Sequence, residues 1–231
     1  MNSLATVLRS SPVTARVAPF VVFIVITFAQ DWFGAAGRYW LYLAKTLVGA
    51  WMIWAVWPVV AEMRWKLSWQ AVTVGIGVFV LWVGLDDLLV KLGLPNSYPK
   101  LKLSGTAWNP HETFGMGSAL AWFFIVVRIA GSSLVVPMLE EVFFRSFLYR
   151  YVTKVDFLSV SLGAFVMRSF LITSLIFGFE HREWLAGLLC GLAYQGLVCR
   201  MNRLGDAIAA HAITNCLLGL WVVGRGAWQF W

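Results

Sequence analysis

Apolar residues run along this chain in long blocks rather than in alternation. The blocks cover about 17–34, 39–60, 71–91, 118–153, 161–181, 184–200 and 204–223. Several reach the roughly 20 residues that cross a bilayer as helix. No strand-like alternation, low-complexity tract or internal repeat interrupts them. The pattern predicts an all-α polytopic transmembrane bundle of about seven helices. The long polar interval, 92–117, holds Pro95, Pro99, Pro110 and several glycines, which argue against a regular helix across it. It reads as a lid or an interfacial segment. It also separates 1–117, helices with few chemical groups, from 118–231, a helical core that carries nearly all of them, within one structural unit.

The block 118–153 is too long for one straight span, because its 36 residues would reach about 54 Å as a helix. Gly131-Ser132-Ser133 or Pro137 is expected to bend or break it. The crossing part then runs from about Gly131 to Tyr151 or Lys154, and it holds Glu140 and Glu141 inside the bilayer.

Composition strengthens the membrane reading. The chain is 60% hydrophobic and 13% charged, where a soluble domain carries about 25% charge. The 14 Trp suit a membrane–water interface. The net charge of +7 comes without a basic cluster interleaved with aromatics, so nucleic acid is not expected as a partner. Excess Lys and Arg instead mark cytoplasmic loops. With the amino terminus inside, the inner side receives Arg9, Arg16, Arg64, Lys66, Arg145, Arg150, Lys154, Arg168, Arg200 and Arg203. The outer side receives Arg38, Lys91, Lys100, Lys102, Arg182 and Arg225. The imbalance places the amino terminus in the cytoplasm. Met1 to Arg16 then reads as the flank of a retained first helix. Cys190, Cys199 and Cys216 lie in apolar segments without CxxC or zinc spacing and read as small core residues.

Against this background the polar groups of the late helices stand out. Glu141 lies 13 residues from Lys154, His181 13 residues from Arg168, and His211 and Asn215 8 and 12 residues from Arg203. As helix these distances are about 20, 20, 12 and 18 Å, well inside a hydrocarbon core of about 30 Å. Burying such groups in lipid costs several kcal/mol each unless they face a cavity or one another. Glu141 and Arg145 are four apart and can pair on one helical face, whereas Glu140 points about 100° away. Phe177 shares a face with His181, and His211 with Asn215. A carboxylate with two imidazoles and an amide suits hydrolysis, the acid taking a proton from water and His and Asn donating to a developing oxyanion.

The same residues form three motifs: Glu140-Glu141-Val-Phe-Phe-Arg145, Phe177-Gly-Phe-Glu-His181 and His211-Ala-Ile-Thr-Asn215. In this order they resemble the EExxxR, FxxxH and HxxxN motifs of the CAAX protease and bacteriocin-processing family, which includes the type II CAAX prenyl endopeptidases. The resemblance covers about 118–223, and Ser146 departs from the Gly that often follows the Arg. It implies a helical bundle and an intramembrane glutamate-type endopeptidase. By match, Glu140 would activate water, Glu141 and Arg145 would support it, and His181, His211 and Asn215 would bind or polarise the substrate. The implied partners are a membrane-associated peptide or protein, with or without a lipid chain, and the bilayer. The implied location is a bacterial plasma membrane. No cofactor is implied.

Other readings stay open. The same acids and imidazoles could bind a metal in a metal-dependent membrane protease. They could relay protons in a transporter, although no inverted repeat is visible. They could also persist as packing in a non-enzymatic binding or immunity protein. His111-Glu112-Thr-Phe-Gly115 lacks the second His of HExxH. Asp206 reads as a cap or first-turn acid of the last helix. Asp86-Asp87 and Arg128 read as interface or helix-end charges. Lys45 is expected to snorkel or lie near a helix edge.

Overall fold

The computed structural model describes residues 3–93 and 107–231. Residues 94–106, the middle of the expected lid or interfacial segment, lie outside them together with Pro95, Pro99, Lys100 and Lys102.

The described chain is built of helices. In order they are α1 (Leu4–Leu8), α2 (Pro12–Ala29), α3 (Gly34–Val56), α4 (Trp69–Lys91), α5 (Pro110–Phe114), α6 (Ala119–Ala130), α7 (Val136–Glu141), α8 (Tyr149–Thr153), α9 (Met167–Phe179), α10 (Trp184–Met201) and α11 (Gly205–Arg225). Among the described residues there is no strand. Five segments are long and apolar enough to cross a membrane: α2, α4 up to Leu88, the continuous Ala119–Thr153, α10 and α11. The seven expected spans each have a helix, but α3 and the shorter α9 fall outside that set. Only 22% of the Trp69–Leu88 window is buried, and apolar side chains such as Phe28, Leu47, Val80, Val126 and Leu171 stand exposed. Acyl chains can cover that surface, while water would leave it as a large apolar patch. The protein is an integral membrane protein with an all-α polytopic fold.

Local chemistry sets several boundaries. Ser11 opens α2, its Oγ accepting from the Thr14 N–H at 2.9 Å, with Pro12 in the first turn, where its missing N–H costs nothing. The helix therefore starts earlier than its apolar block suggests. α9 starts later than expected, at Met167. Before it, the Gly163 N–H and the Ser161 hydroxyl both donate to Asn202 Oδ1, at 2.7 and 2.8 Å, which holds this apolar stretch as a loop. Asn202 itself closes α10 in the left-handed region, with φ 51°. Asp206 lies in the first turn of α11, as expected, and accepts from Ser68 Oγ at 2.5 Å and from Arg203.

The block 118–153 is not broken. It is helical from Ala119 to Thr153 and widens into π-helical turns at Gly131–Val135 and Val142–Leu148. Proline explains the end of the first turn. In π geometry each N–H reaches the carbonyl five residues back, and the Val136 N–H does reach Gly131 O. The next donor would be Pro137, which has none. The Ser132 carbonyl is thus left without its helical partner, and it accepts instead from Asn215 Nδ2 at 2.8 Å.

The described residues form two compact units. The first comprises 3–63, 107–143 and 215–231, with α1–α3, α5–α7 and the end of α11. Its core packs Tyr39, Tyr42, Trp108 and Phe124 with Leu43, Phe114, Val127 and Trp231. The Arg128 guanidinium lies over the rings of Trp108, Tyr42 and Trp231 at 4.6, 5.0 and 5.2 Å, so it is a packed cation rather than a bare helix-end charge. Lys45 corrects its expectation more sharply. It sits at the midpoint of α3 and is only 5% exposed, not snorkelled to an edge.

The second unit comprises 64–93 and 144–214, with α4, α8–α10 and the start of α11. α9 and α10 approach closely because small residues face each other. A Cβ on Gly178 would lie 2.9 Å from Leu188 N and Trp184 O, and one on Gly191 3.1 Å from Ser174 Cα. Thr214 ties the unit together: its Oγ1 accepts from Tyr194 Oη at 2.7 Å and lies 2.8 Å from the Gly75 carbonyl. Asp86-Asp87 behaves as a helix-end pair in part, with Asp87 bridged to Lys91 at 2.8 Å on the surface.

Candidate active site

Glu140 and Glu141 close α7, in the first unit, between the two π turns. Both are buried, at 8% and 0% exposure, within an apolar helical segment. Asn215 belongs to the same unit. One of its amide hydrogens is committed to Ser132 O, which leaves the other N–H and Oδ1 for further bonds.

Arg145, His181 and His211 belong to the second unit and gather around Phe177. The Arg145 guanidinium lies 4.2 Å from the Phe177 centroid. The rings of His181 and His211 lie 4.8 and 6.1 Å from it. His211 also stacks on Tyr194 at 5.1 Å, and Trp82 meets His181 edge-on at 5.4 Å. Arg145 and His211 both act electrostatically on His181. His181 does not lie on its helix. α9 ends at Phe179, and the imidazole sits in the turn that follows.

That turn fixes the tautomer. His181 Nδ1 lies 2.8 Å from the Phe177 carbonyl oxygen. A carbonyl only accepts, so Nδ1 carries the hydrogen, and Nε2 of the neutral ring presents a lone pair. His181 in this form accepts a hydrogen bond at Nε2 instead of donating one to an oxyanion.

Residues 120–217 match the family model described as type II CAAX prenyl endopeptidase Rce1-like. This stretch is similar to the CAAX protease family. All three motifs fall inside the match, which spans less than half of the chain. No curated protein and no solved structure matches the chain. The CAAX protease family is one of membrane endopeptidases, so the chemistry it points to is peptide hydrolysis.

Where the chain departs from the CAAX protease motif, at Ser146, the side chain is in use. Ser146 Oγ accepts from Arg150 Nη2 at 2.8 Å and its carbonyl from Arg150 Nε at 2.5 Å. Two acids escaped the sequence reading. Glu180 precedes His181 and acts electrostatically on Arg145, and Glu183 is buried two residues beyond His181. The signal was present in Phe-Glu-His-Arg-Glu, an acid on each side of a histidine in an apolar chain. Glu180 Oε2 is buried and has no hydrogen-bond partner among the described residues. Also among the described residues, no three His, Cys, Asp or Glu side chains gather in a way that would hold a metal ion.

Proposed function

We propose that the protein is an intramembrane endopeptidase of the CAAX protease type, in which a glutamate activates water. The observation that supports it best is the gathering of Arg145, His181 and His211 around Phe177, three motif residues from two helical segments and the turn after a third, in a stretch similar to a family of peptidases. The Glu140 carboxylate takes a proton from water while the water oxygen bonds to the peptide carbonyl carbon. Glu141 and Arg145 support that acid. The charge that develops on the carbonyl oxygen is met by N–H donors, and His211 and the second N–H of Asn215 suit that role. His181 accepts through Nε2, from the water or from a substrate N–H. The tetrahedral species then expels the amine, which takes back the proton held by Glu140, and the second water proton passes from the new carboxyl to the amine, leaving a carboxylate and an ammonium as products.

The substrate is a membrane-associated peptide or protein, lipidated or not. The protein resides in a bacterial plasma membrane with its amino terminus in the cytoplasm, a reading supported by the ten inner against six outer basic residues. The test is the full-length protein in vesicles with peptides ending in a farnesylated Cys-aliphatic-aliphatic-X sequence and the same peptides without the lipid. Cleavage is expected in at least one set. Proton flux through the same vesicles, with no cleavage in either set, would contradict the peptidase reading in favour of a transporter.

One observation favours a second reading, a metal-dependent protease with the same residues as ligands. An imidazole whose Nδ1–H is held by a backbone carbonyl presents Nε2 as a metal ligand would. Activity that survives exhaustive chelation supports water activation by glutamate, and activity lost to chelator and restored by a divalent ion supports the metal.

A further inference from the structure

The Arg128 guanidinium is held in place, but its hydrogen-bond donors are not used. The rings of Trp108, Tyr42 and Trp231 stand 4.6, 5.0 and 5.2 Å from its central carbon. The Tyr42 hydroxyl donates to the Arg128 carbonyl at 3.3 Å, and the Trp108 N–H donates to the Trp231 carbonyl at 3.4 Å, so the cage is tied to α6 and to itself. Rings attract the positive charge. They do not replace the oxygen acceptors that the five N–H donors of an arginine seek. Among the described residues no acceptor or carboxylate meets the Arg128 guanidinium.

The donors are not sealed off either. Arg128 is half-buried, and none of its nitrogens counts among the buried atoms that lack a partner, so the fork opens onto the surroundings. Glu112, on the neighbouring α5, is exposed and accepts from Asn109 Nδ2 at 2.9 Å. A second cation borders the same rings. The Arg38 guanidinium lies 5.0 Å from the Tyr39 ring, which meets Trp108 at 4.5 Å. The cluster is therefore a place for an anion.

Depth says which anion. Lys154, exposed just past Thr153, marks one end of the continuous helical segment. Arg128 lies 26 residues before it, about 39 Å as an α-helix and a little less with two π turns. The hydrocarbon core is about 30 Å thick, and the headgroups bring the bilayer to about 40–45 Å. With Lys154 among the headgroups of one leaflet, Arg128 stands among those of the other. Trp40, edge-on to Phe124 at 5.0 Å, and Trp122 are exposed near this end, as suits the membrane–water interface. Val126, two residues before Arg128, is exposed and apolar, a surface for acyl chains.

We propose that the first unit carries a phospholipid site, in which the Arg128 fork binds the headgroup phosphate beside the rings of Trp108, Tyr42 and Trp231. A guanidinium matches two phosphate oxygens at once, which an ammonium cannot. The site does not depend on the reading of Glu140 as the base.

The experiment uses the full-length protein, stripped of lipid in detergent. Phenylglyoxal, which attacks unprotected guanidinium groups, is followed by peptide mapping at Arg128, with exposed Arg168 as the reference. The additions are phosphatidylglycerol, diglucosyl diacylglycerol with the same acyl chains and no phosphate, inorganic phosphate, and an unlipidated peptide with a free terminal carboxylate. Phosphatidylglycerol is expected to slow labelling of Arg128 about tenfold and to leave Arg168 unchanged, the glycolipid protecting neither. In native mass spectrometry Arg128→Gln should hold phosphatidylglycerol about tenfold more weakly than the wild type, with Arg128→Lys between them. Equal protection by the glycolipid overturns the proposal. So does protection by inorganic phosphate or the peptide where phosphatidylglycerol gives none. The side chain of Asp31 lies outside the described atoms, and Asp31→Asn covers it: faster labelling of Arg128 in that variant without lipid would mean that its own carboxylate fills the site, which also overturns the proposal. If Arg128→Gln does not fold, labelling of the wild type decides alone.

Discussion

The two units solve the same problem, polar groups inside apolar helices, by different means. The first unit holds cations on long flexible stems and surrounds them with rings and neutral oxygens: Lys45 between Phe23 and Tyr42, Arg128 over Trp108, Tyr42 and Trp231. The second unit also sets the Arg145 guanidinium over Phe177, but it adds short, stiff rings that are pinned in place. His181 is locked by a backbone carbonyl and His211 is stacked on Tyr194. Stems tolerate adjustment and suit charge compensation. Pinned rings hold one orientation and suit the precise aim that transition-state hydrogen bonds require.

The contrast breaks most visibly at the rings. His211→Ala is expected to lower kcat by ~10²–10³, the usual cost of one lost transition-state contact, while the protein melts near the wild-type temperature. His181→Ala should fall in the same range. A large loss of thermal stability with kcat per folded molecule preserved would make the pinned rings structural.

Asn215 sharpens the comparison within the first unit. Asn215→Ala removes the donor to Ser132 O and leaves a helical carbonyl unsatisfied, costing ~1–3 kcal/mol in thermal or denaturant unfolding. Asn215→Asp loses that donor as well and should not restore stability. Variants as stable as the wild type would show that the carbonyl has another partner.

The smallest effect belongs to Ser146. Ser146→Gly returns the residue common in the family motif and deletes one hydrogen bond to Arg150, worth about 1 kcal/mol, plus the cost of glycine in a helix. Unfolding should register the loss, and the rate of cleavage should not.

Much of this was legible in the chain. Long apolar blocks announced the helices, since the bilayer fixes both their length and their composition. Three short motifs placed Glu140, Glu141, Arg145, His181, His211 and Asn215 on helical segments or beside them. What stayed hidden depends on partners distant in sequence. The π turn at Gly131–Val135 follows from Pro137, but its stabilising donor comes from Asn215, more than 80 residues away. The late start of α9 rests on Asn202, and the burial of Lys45 on Thr27 and Gln30. The His181 tautomer is set by local backbone geometry, which i, i+4 spacing places nearby without fixing a hydrogen's position. Glu180 and Glu183 were visible and passed over, because the motif pattern drew attention to the histidine alone.

The central claim is that Glu140 is the base that activates water. Cleavage of one membrane-associated peptide should be followed by mass spectrometry for the wild type and Glu140→Gln, both full length, in vesicles and at matched folded amounts. The account predicts product from the wild type and a loss of at least about 10³-fold for Glu140→Gln, which keeps the shape and removes the proton acceptor. Product from Glu140→Gln at a rate near that of the wild type would contradict it.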